Sequence, residues 1–278
     1  MKIAVLSGKG GTGKTFVSVN LACCAQRAVY VDCDVEEPNG QLFLKPQITD
    51  TRAIAVTVPE IDSSLCTGCR KCVEFCRYNA MALVQDKLLI FPELCHSCGG
   101  CILFCPEKAL HKKKRAIGIV EVGEAEQVST FSGCLTPGEE SGVPIIQELI
   151  SLIPEQETAI IDCPPGSACI VMESIRDVDY CILVTEPTLF GVHNLAMVLE
   201  LVRLFQKPFG VVLNKSLPGE NPAKSYCQAH QIPILAEIPY EEALASLNSK
   251  GLVAVKESPR YWDLFRRLLF LVEKEAHR

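Results

Sequence analysis

The 278-residue chain lacks three features that would each assign a broad class. It has no run of about 18 uncharged apolar residues, so no segment is expected to cross a membrane as a helix, and no stable membrane insertion is expected. It shows no secretory leader. Met1-Lys2 leads directly into Ile3-Ala4-Val5-Leu6, which is too short for a signal core, and a cytoplasmic location is expected. It also lacks an excess of positive charge. The 27 Lys and Arg stand against 33 Asp and Glu, a net of −6, which argues against nucleic acid or an anionic membrane as main partner. The one basic run, Lys112-Lys113-Lys114-Arg115, is expected to be a solvated loop.

Cysteine, by contrast, is plentiful, with sixteen residues. In a reducing compartment that number points to metal ligation or redox chemistry rather than structural disulfides. Eight of them form two runs, Cys66-x-x-Cys69-x-x-Cys72-x-x-x-Cys76 and Cys95-x-x-Cys98-x-x-Cys101-x-x-x-Cys105-Pro106. The spacing resembles that of bacterial two-cluster ferredoxins, in which the first three cysteines of a run hold one cluster and the fourth holds the other. Cys66, Cys69, Cys72 and Cys105 are therefore expected to hold one [4Fe–4S] cluster, and Cys95, Cys98, Cys101 and Cys76 a second. Zinc is the alternative, but paired C-x-x-C units suffice for a zinc ribbon and would leave cysteines over. Arg77 follows Cys76 where Pro106 follows Cys105, a departure expected to open the backbone or add positive charge beside the second cluster. The other eight cysteines mostly lie in apolar surroundings and read as small buried thiols. Cys134 fits least well, because Ser132 to Gly138 looks like a loop, and an extra metal or redox role is open to it.

A second motif opens the chain. Gly8-Lys9-Gly10-Gly11-Thr12-Gly13-Lys14-Thr15 follows an apolar strand (2–7) and precedes an amphipathic helix (14–26). Glycines let backbone N–H groups wrap phosphates, and the helix adds its positive end. Lys14 is placed to reach the β- and γ-phosphates, and the Thr15 hydroxyl to ligate Mg²⁺. Ala28 to Asp32 makes the next strand, completing a βαβ unit with a parallel sheet.

From residue 61 to 115 the helical and strand periodicity fades, and the two halves of this stretch repeat. It reads as a small inserted α+β ferredoxin-like domain, with 1–60 and 116–278 forming one discontinuous α/β domain. Bound clusters would stabilise so small an insert. After 116, short apolar runs at 159–162, 180–184 and 209–213 suit strands buried on both faces. Helical patterns lie between them, at 143–153, 191–206 and 221–230. The tail from Tyr261 to Val272 is an amphipathic helix expected to pack on the core, since the mixed charges of its polar face do not suit a membrane surface.

The two-lysine loop resembles that of the MinD, ParA and nitrogenase iron protein superfamily. The whole chain resembles members of that superfamily that carry an inserted ferredoxin domain. The resemblance implies an α/β P-loop fold with a mostly parallel twisted sheet and helices on both faces. It implies that Lys9 crosses a dimer interface to the partner's nucleotide, giving a nucleotide-sandwich homodimer. Asp32 is placed by it in the Mg²⁺ shell, and Asp34 as the carboxylate that orients the attacking water. Asp162-Cys163-Pro164-Pro165-Gly166 resembles the D-x-P-P-G switch, with Asp162 second-shell to Mg²⁺ and Gly166 sensing the γ-phosphate. Asn214 and Lys215 would meet the adenine, with Pro239 nearby. Leu217 stands where a guanine-binding N-K-x-D motif would need Asp, which favours ATP.

These features predict a Mg-ATP-hydrolysing dimer. Its ferredoxin module would move electrons to a redox or metal-cofactor-assembly partner. The alternatives are a redox-sensing positioning or scaffold ATPase of the MinD/ParA type, and a metal-cluster carrier.

Overall fold

The computed structural model describes residues 1–25 and 27–276. The apolar run Lys2–Leu6 forms β1, and the helix α1 (Lys14–Cys24) follows the glycine loop. The strands β2 (Ala28–Asp32) and β3 (Gln47–Ile61) come next, with the short helix α2 (Gln41–Leu44) between them. A segment carrying α3 (Lys71–Phe75), β4 (Met81–Val84), β5 (Lys87–Ile90) and α4 (Gly100–Leu103) precedes β6 (Leu110–Ala125) and β7 (Val128–Leu135). Alternation of helix and strand then takes over: α5 (Val143–Ser151), β8 (Thr158–Asp162), α6 (Cys169–Ile175), β9 (Tyr180–Thr185), α7 (Leu189–Leu204), β10 (Phe209–Ser216), α8 (Pro222–Ala229) and β11 (Ile234–Pro239). The chain closes with α9 (Glu242–Ser249), α10 (Ala254–Glu257) and α11 (Pro259–Ala276).

Nine strands make one sheet in the order β11-β10-β9-β1-β8-β2-β7-β6-β3. The strands from β11 to β7 pair in parallel, and β6 is antiparallel to both β7 and β3. Alternate residues of each strand feed opposite faces. Ala4, Leu6, Val29 and Val31 enter a core with Ile145 and Leu149 of α5, Ile175 of α6 and Val198 of α7. Ile3, Val5 and Tyr30 enter a second core with α1 and with Phe265, Leu268 and Val272 of α11. The terminal helix therefore packs on the body. Among the described residues no helix is long and apolar enough to cross a membrane.

Two local expectations are corrected. Lys112 to Arg115 is not a loop: it lies within β6, paired residue for residue with β3 from Thr57–Lys114 to Pro59–Lys112. Long exposed side chains suit an edge ribbon as well as a loop, and strand pairing rather than polarity decides between them. Ser132-Gly133-Cys134 is likewise strand, in β7. A Cβ on Gly133 would meet Ile145 at 2.6 Å and Val35 at 2.8 Å, so the glycine marks close packing rather than a turn.

β3 and β6 form a long two-stranded ribbon, and residues 62–109 sit at its far end. β4 and β5 make a separate two-stranded sheet there. The apolar cluster of this segment is small, built on buried Met81, Cys101 and Leu110.

Candidate functional site

The carboxyl ends of β1, β8 and β2 lie side by side at the centre of the sheet. This is where open α/β folds place ligands. Gly8 to Gly13 joins β1 to α1. Gly11 and Gly13 have φ of 79° and 92°, the left-handed region that favours glycine. A Cβ on Gly13 would strike the Asn214 amide at 2.1 Å, whereas Gly10 and Gly11 have nothing within 4 Å, so the loop's inner side is open. A cavity of about 630 Å³ begins there. It is lined by Lys9, Gly10, Gly11, Gly13, Lys14, Thr15, Asp34, Asn214, Lys215 and Pro239, together with Tyr240 and Leu244. Its size lies in the range of small-molecule sites.

Gly8, Thr12, Asp32, Asp162 and Gly166 do not line this cavity, and Thr12, Asp32 and Asp162 are buried beneath it. A Cβ on Gly8 would meet the Asn194 carbonyl at 2.3 Å. Thr12 lends its carbonyl to the Asn214 amide at 2.7 Å. Gly166, at φ 92°, donates its N–H to the Ser7 carbonyl at 2.9 Å.

Asp162 is fully buried. It accepts hydrogen bonds from Lys14 Nζ at 2.7 Å, Ser18 Oγ at 3.0 Å and the Tyr30 hydroxyl at 3.0 Å. Asp34 Oδ2 lies 3.6 Å from the same lysine. Burial opposes the Lys14 charge, but Asp162, Asp34 and Asp32 outweigh it and raise its pKa above the ordinary lysine range. Asp32, also fully buried, accepts backbone N–H groups from Asp34 at 3.2 Å and Gly40 at 2.9 Å. Burial and the neighbouring Asp162 raise its pKa. Burial likewise raises Asp34, against the pull of Lys14. Asp32 thus anchors the 34–40 segment, and Asp34 is the cavity-lining carboxylate beside Lys14. Among the described residues no three His, Cys, Asp or Glu side chains gather closely enough to hold a metal ion by themselves.

Sequence reasoning gave no role to Ser18, Tyr30, Gly40 and Glu186. Ser18 stands one helical turn after Lys14 and Tyr30 two residues before Asp32, so both spacings were visible. Glu186 follows β9. It holds Lys9 Nζ at 2.6 Å and Lys215 Nζ at 2.8 Å, while Lys215 also donates to the Gly11 carbonyl at 2.6 Å. Burial disfavours its charge, but the two lysines hold its carboxyl below the usual range. Lys9 also lies over the Phe190 ring, 5.1 Å from its centroid.

The family model for the CobQ/CobB/MinD/ParA nucleotide binding domain matches residues 3–255. The chain belongs to this family. It is therefore a nucleotide-binding protein of the P-loop α/β class. It is 33% identical over 272 residues to uncharacterized protein MJ0578 of Methanocaldococcus jannaschii, covering 92% of this chain and 94% of that one. It is 30% identical to uncharacterized protein MJ0579 of the same organism, over 77% and 80% of the two chains. In fold it is similar to the cell division ATPase MinD of Pyrococcus furiosus, with a TM-score of 0.61, 21% identity and 98% of each chain covered. It is also similar to the septum site-determining protein MinD of Pyrococcus horikoshii, complexed with Mg-ADP, with a TM-score of 0.62, 21% identity and 99% and 96% of the two chains covered.

In the segment at the end of the ribbon, one cavity is lined by Cys66, Cys69, Cys72 and Cys105, and a second by Cys76, Cys95, Cys98 and Cys101. Burial raises the Cys72 thiol, and its neighbours Cys69 and Cys105 add to the effect. Burial, with Cys95 and Cys98 nearby, raises Cys101 to about 11. The Ala109 N–H points at Cys105 Sγ, at 3.3 Å. No set is tight enough for a single metal ion. A four-iron cluster is a larger body that spreads its four thiolates, and a cavity walled by four cysteines matches that donor chemistry. Cys134 is exposed, away from both sets in sequence, and forms no disulfide.

Proposed function

We propose that the chain is a Mg-ATP-dependent ATPase switch of the MinD/ParA type that works as a homodimer. The observation that carries this is the Lys14–Asp162–Asp34 constellation, with Lys14 and Asp34 lining a nucleotide-sized cavity, in a chain whose family binds nucleotides. On nucleotide binding, Lys14 turns from Asp162 towards the β- and γ-phosphates, and the Thr15 hydroxyl faces Mg²⁺. Thr15 and Asp32, with Asp162 behind them, would hold Mg²⁺, and the ion would screen charge on the phosphates. Asp34 then orients the water that attacks. Asn214, Lys215 and Pro239 border the base. Lys9, held by Glu186 in the free chain, is released to reach a second copy. Gly166 exchanges its bond to Ser7 for the new state, which moves the switch. Sedimentation velocity tests this. Mg-ATP should convert wild type from monomer to dimer, while Lys9→Ala should bind ATP and stay monomeric. A wild type that remains monomeric while it turns over ATP contradicts the proposal.

The comparisons favour this switch over ATP-gated electron transfer, the first expectation from sequence. The two four-cysteine cavities nevertheless favour a second property on the same chain. Cys66, Cys69, Cys72 and Cys105, and Cys95, Cys98, Cys101 and Cys76, hold two [4Fe–4S] clusters in an inserted ferredoxin-like arm over 61–115. The clusters would supply one-electron chemistry, used either to sense redox state or to serve a redox or cofactor-assembly partner. Iron and acid-labile sulfide in anaerobically purified protein decide the matter. About eight of each per chain are expected, and zinc alone would exclude the clusters.

A further inference from the structure

Residues 61–115 contain nine Lys and Arg and five Asp and Glu, whereas the rest of the chain contains eighteen and twenty-eight. The arm is therefore basic on an acidic body. Within it, part of the charge is already answered: Lys113 pairs with Glu60 at 2.6 Å, and Arg115 with the half-buried Glu139. Lys112, Lys114 and Arg77 make no ion pair among the described residues.

The strand register shows where two of these three point. Lys112 stands opposite Pro59, and Lys114 opposite Thr57. Directly opposed residues of an antiparallel pair project to the same face. Thr57 and Pro59 both line the cavity of Cys76, Cys95, Cys98 and Cys101, as does Arg77. These three cations thus share a face with that cavity, where Glu74 is the one carboxylate in the lining, while Arg70 and Lys71, which also make no ion pair among the described residues, line the other cysteine cavity. Beside them Tyr78 stacks on His96 at 3.7 Å between ring centroids while remaining 48% exposed.

We infer that this face, marked by Lys112, Lys114 and Arg77, docks a small acidic redox protein. The inference rests on the cysteines of this cavity holding a cluster, for only then does a redox partner gain from docking there. A thiolate-ligated cluster is itself anionic, so an acidic partner approaching it would be repelled without cations at the rim. Three unpaired cations supply long-range steering and orientation, and the Tyr78–His96 stack supplies an apolar, hydrogen-bonding contact at short range.

The test is binding of the full-length, anaerobically purified protein to an oxidised acidic [4Fe–4S] ferredoxin, measured by microscale thermophoresis between 50 and 300 mM salt (roughly a Debye length of 14 Å falling to 6 Å). Saturable binding that weakens with salt is expected, about tenfold weaker for Lys112→Gln/Lys114→Gln and further weakened by Arg77→Gln. Lys45→Gln/Lys274→Gln, on the body, should bind as wild type. A basic cytochrome c should not bind at this face. Absence of saturable ferredoxin binding at 50 mM salt, or equal affinity for all variants, overturns the inference, as does tight binding of a duplex oligonucleotide through the same lysines. Iron measured on the same samples separates the two failures. Protein without iron that still binds through Lys112 and Lys114 removes the clusters and keeps the docking face, and iron-loaded protein that does not bind does the reverse.

Discussion

Around Lys14 the chain buries charge and answers it; around Cys101 it buries little of anything. At the head of the sheet Lys14, Asp162 and Asp32 are enclosed by two large cores, and each charge has named partners. At the end of the ribbon a small cluster around Met81, Cys101 and Leu110 makes the core, and Leu103, Phe104 and Tyr78 stay 79%, 57% and 48% exposed. The first region is built to hold its shape and exchange one set of partners for another. The second has little buried apolar area, and the proposed clusters, bound by eight cysteines, would supply order in its place. Separate regions of one chain thus derive their order from separate sources, and perturbing one should leave the other intact.

The largest expected effect is at the head of the sheet. Lys14→Met leaves Asp162 buried without its cation and should cost roughly 3–5 kcal/mol of folding stability in urea titrations. It should also abolish Mg-ATP binding by calorimetry. A stability change under about 1 kcal/mol would mean the network is not the anchor its geometry implies. In the arm, Cys101→Ala should leave residues 62–109 open to limited proteolysis, with the unfolding free energy of the body within about 0.5 kcal/mol of wild type. Co-operative loss of both regions would break the comparison.

Tyr30→Phe is the finer probe. It removes one hydrogen bond to the Asp162 carboxylate, at 3.0 Å, and should cost about 1.5–3 kcal/mol while leaving Lys14 in place. The smallest effect is expected at Glu186→Gln. With the anion gone from between Lys9 and Lys215, half-maximal dimerisation in sedimentation runs should need about fivefold less ATP, equivalent to about 1 kcal/mol. An unchanged or raised requirement would show that Glu186 does not restrain Lys9.

Much of the body was legible because its signals are local. Gly13-Lys14 after an apolar run follows from spacing, and Asp32 and Asp162 at strand ends were placed by the family resemblance. Glu186 was not, because its role depends on two lysines 177 and 29 residues away that meet only in the folded chain. The ribbon was missed for a related reason. Strand β3 left little signal, since its first half, Gln47 to Ala53, is exposed and gains its order from pairing with β6. Lys112 to Arg115 looked like a loop on polarity, yet the same polarity suits an edge strand with both faces partly wet. Grouping the cysteines needed only their spacing, whereas the charged rim beside them needed the register between Thr57 and Lys114.

One spectrum bears most directly on the central claim that a nucleotide-driven dimer carries a cluster-bearing arm. Native mass spectrometry of the anaerobic protein, with and without Mg-ATP, reads subunit number, bound nucleotide and bound iron–sulfur mass together. The account predicts a monomer carrying two clusters without nucleotide, and with Mg-ATP a dimer holding two nucleotides and four clusters. A chain that binds ATP but stays monomeric, or whose added mass is zinc or nothing, would contradict it.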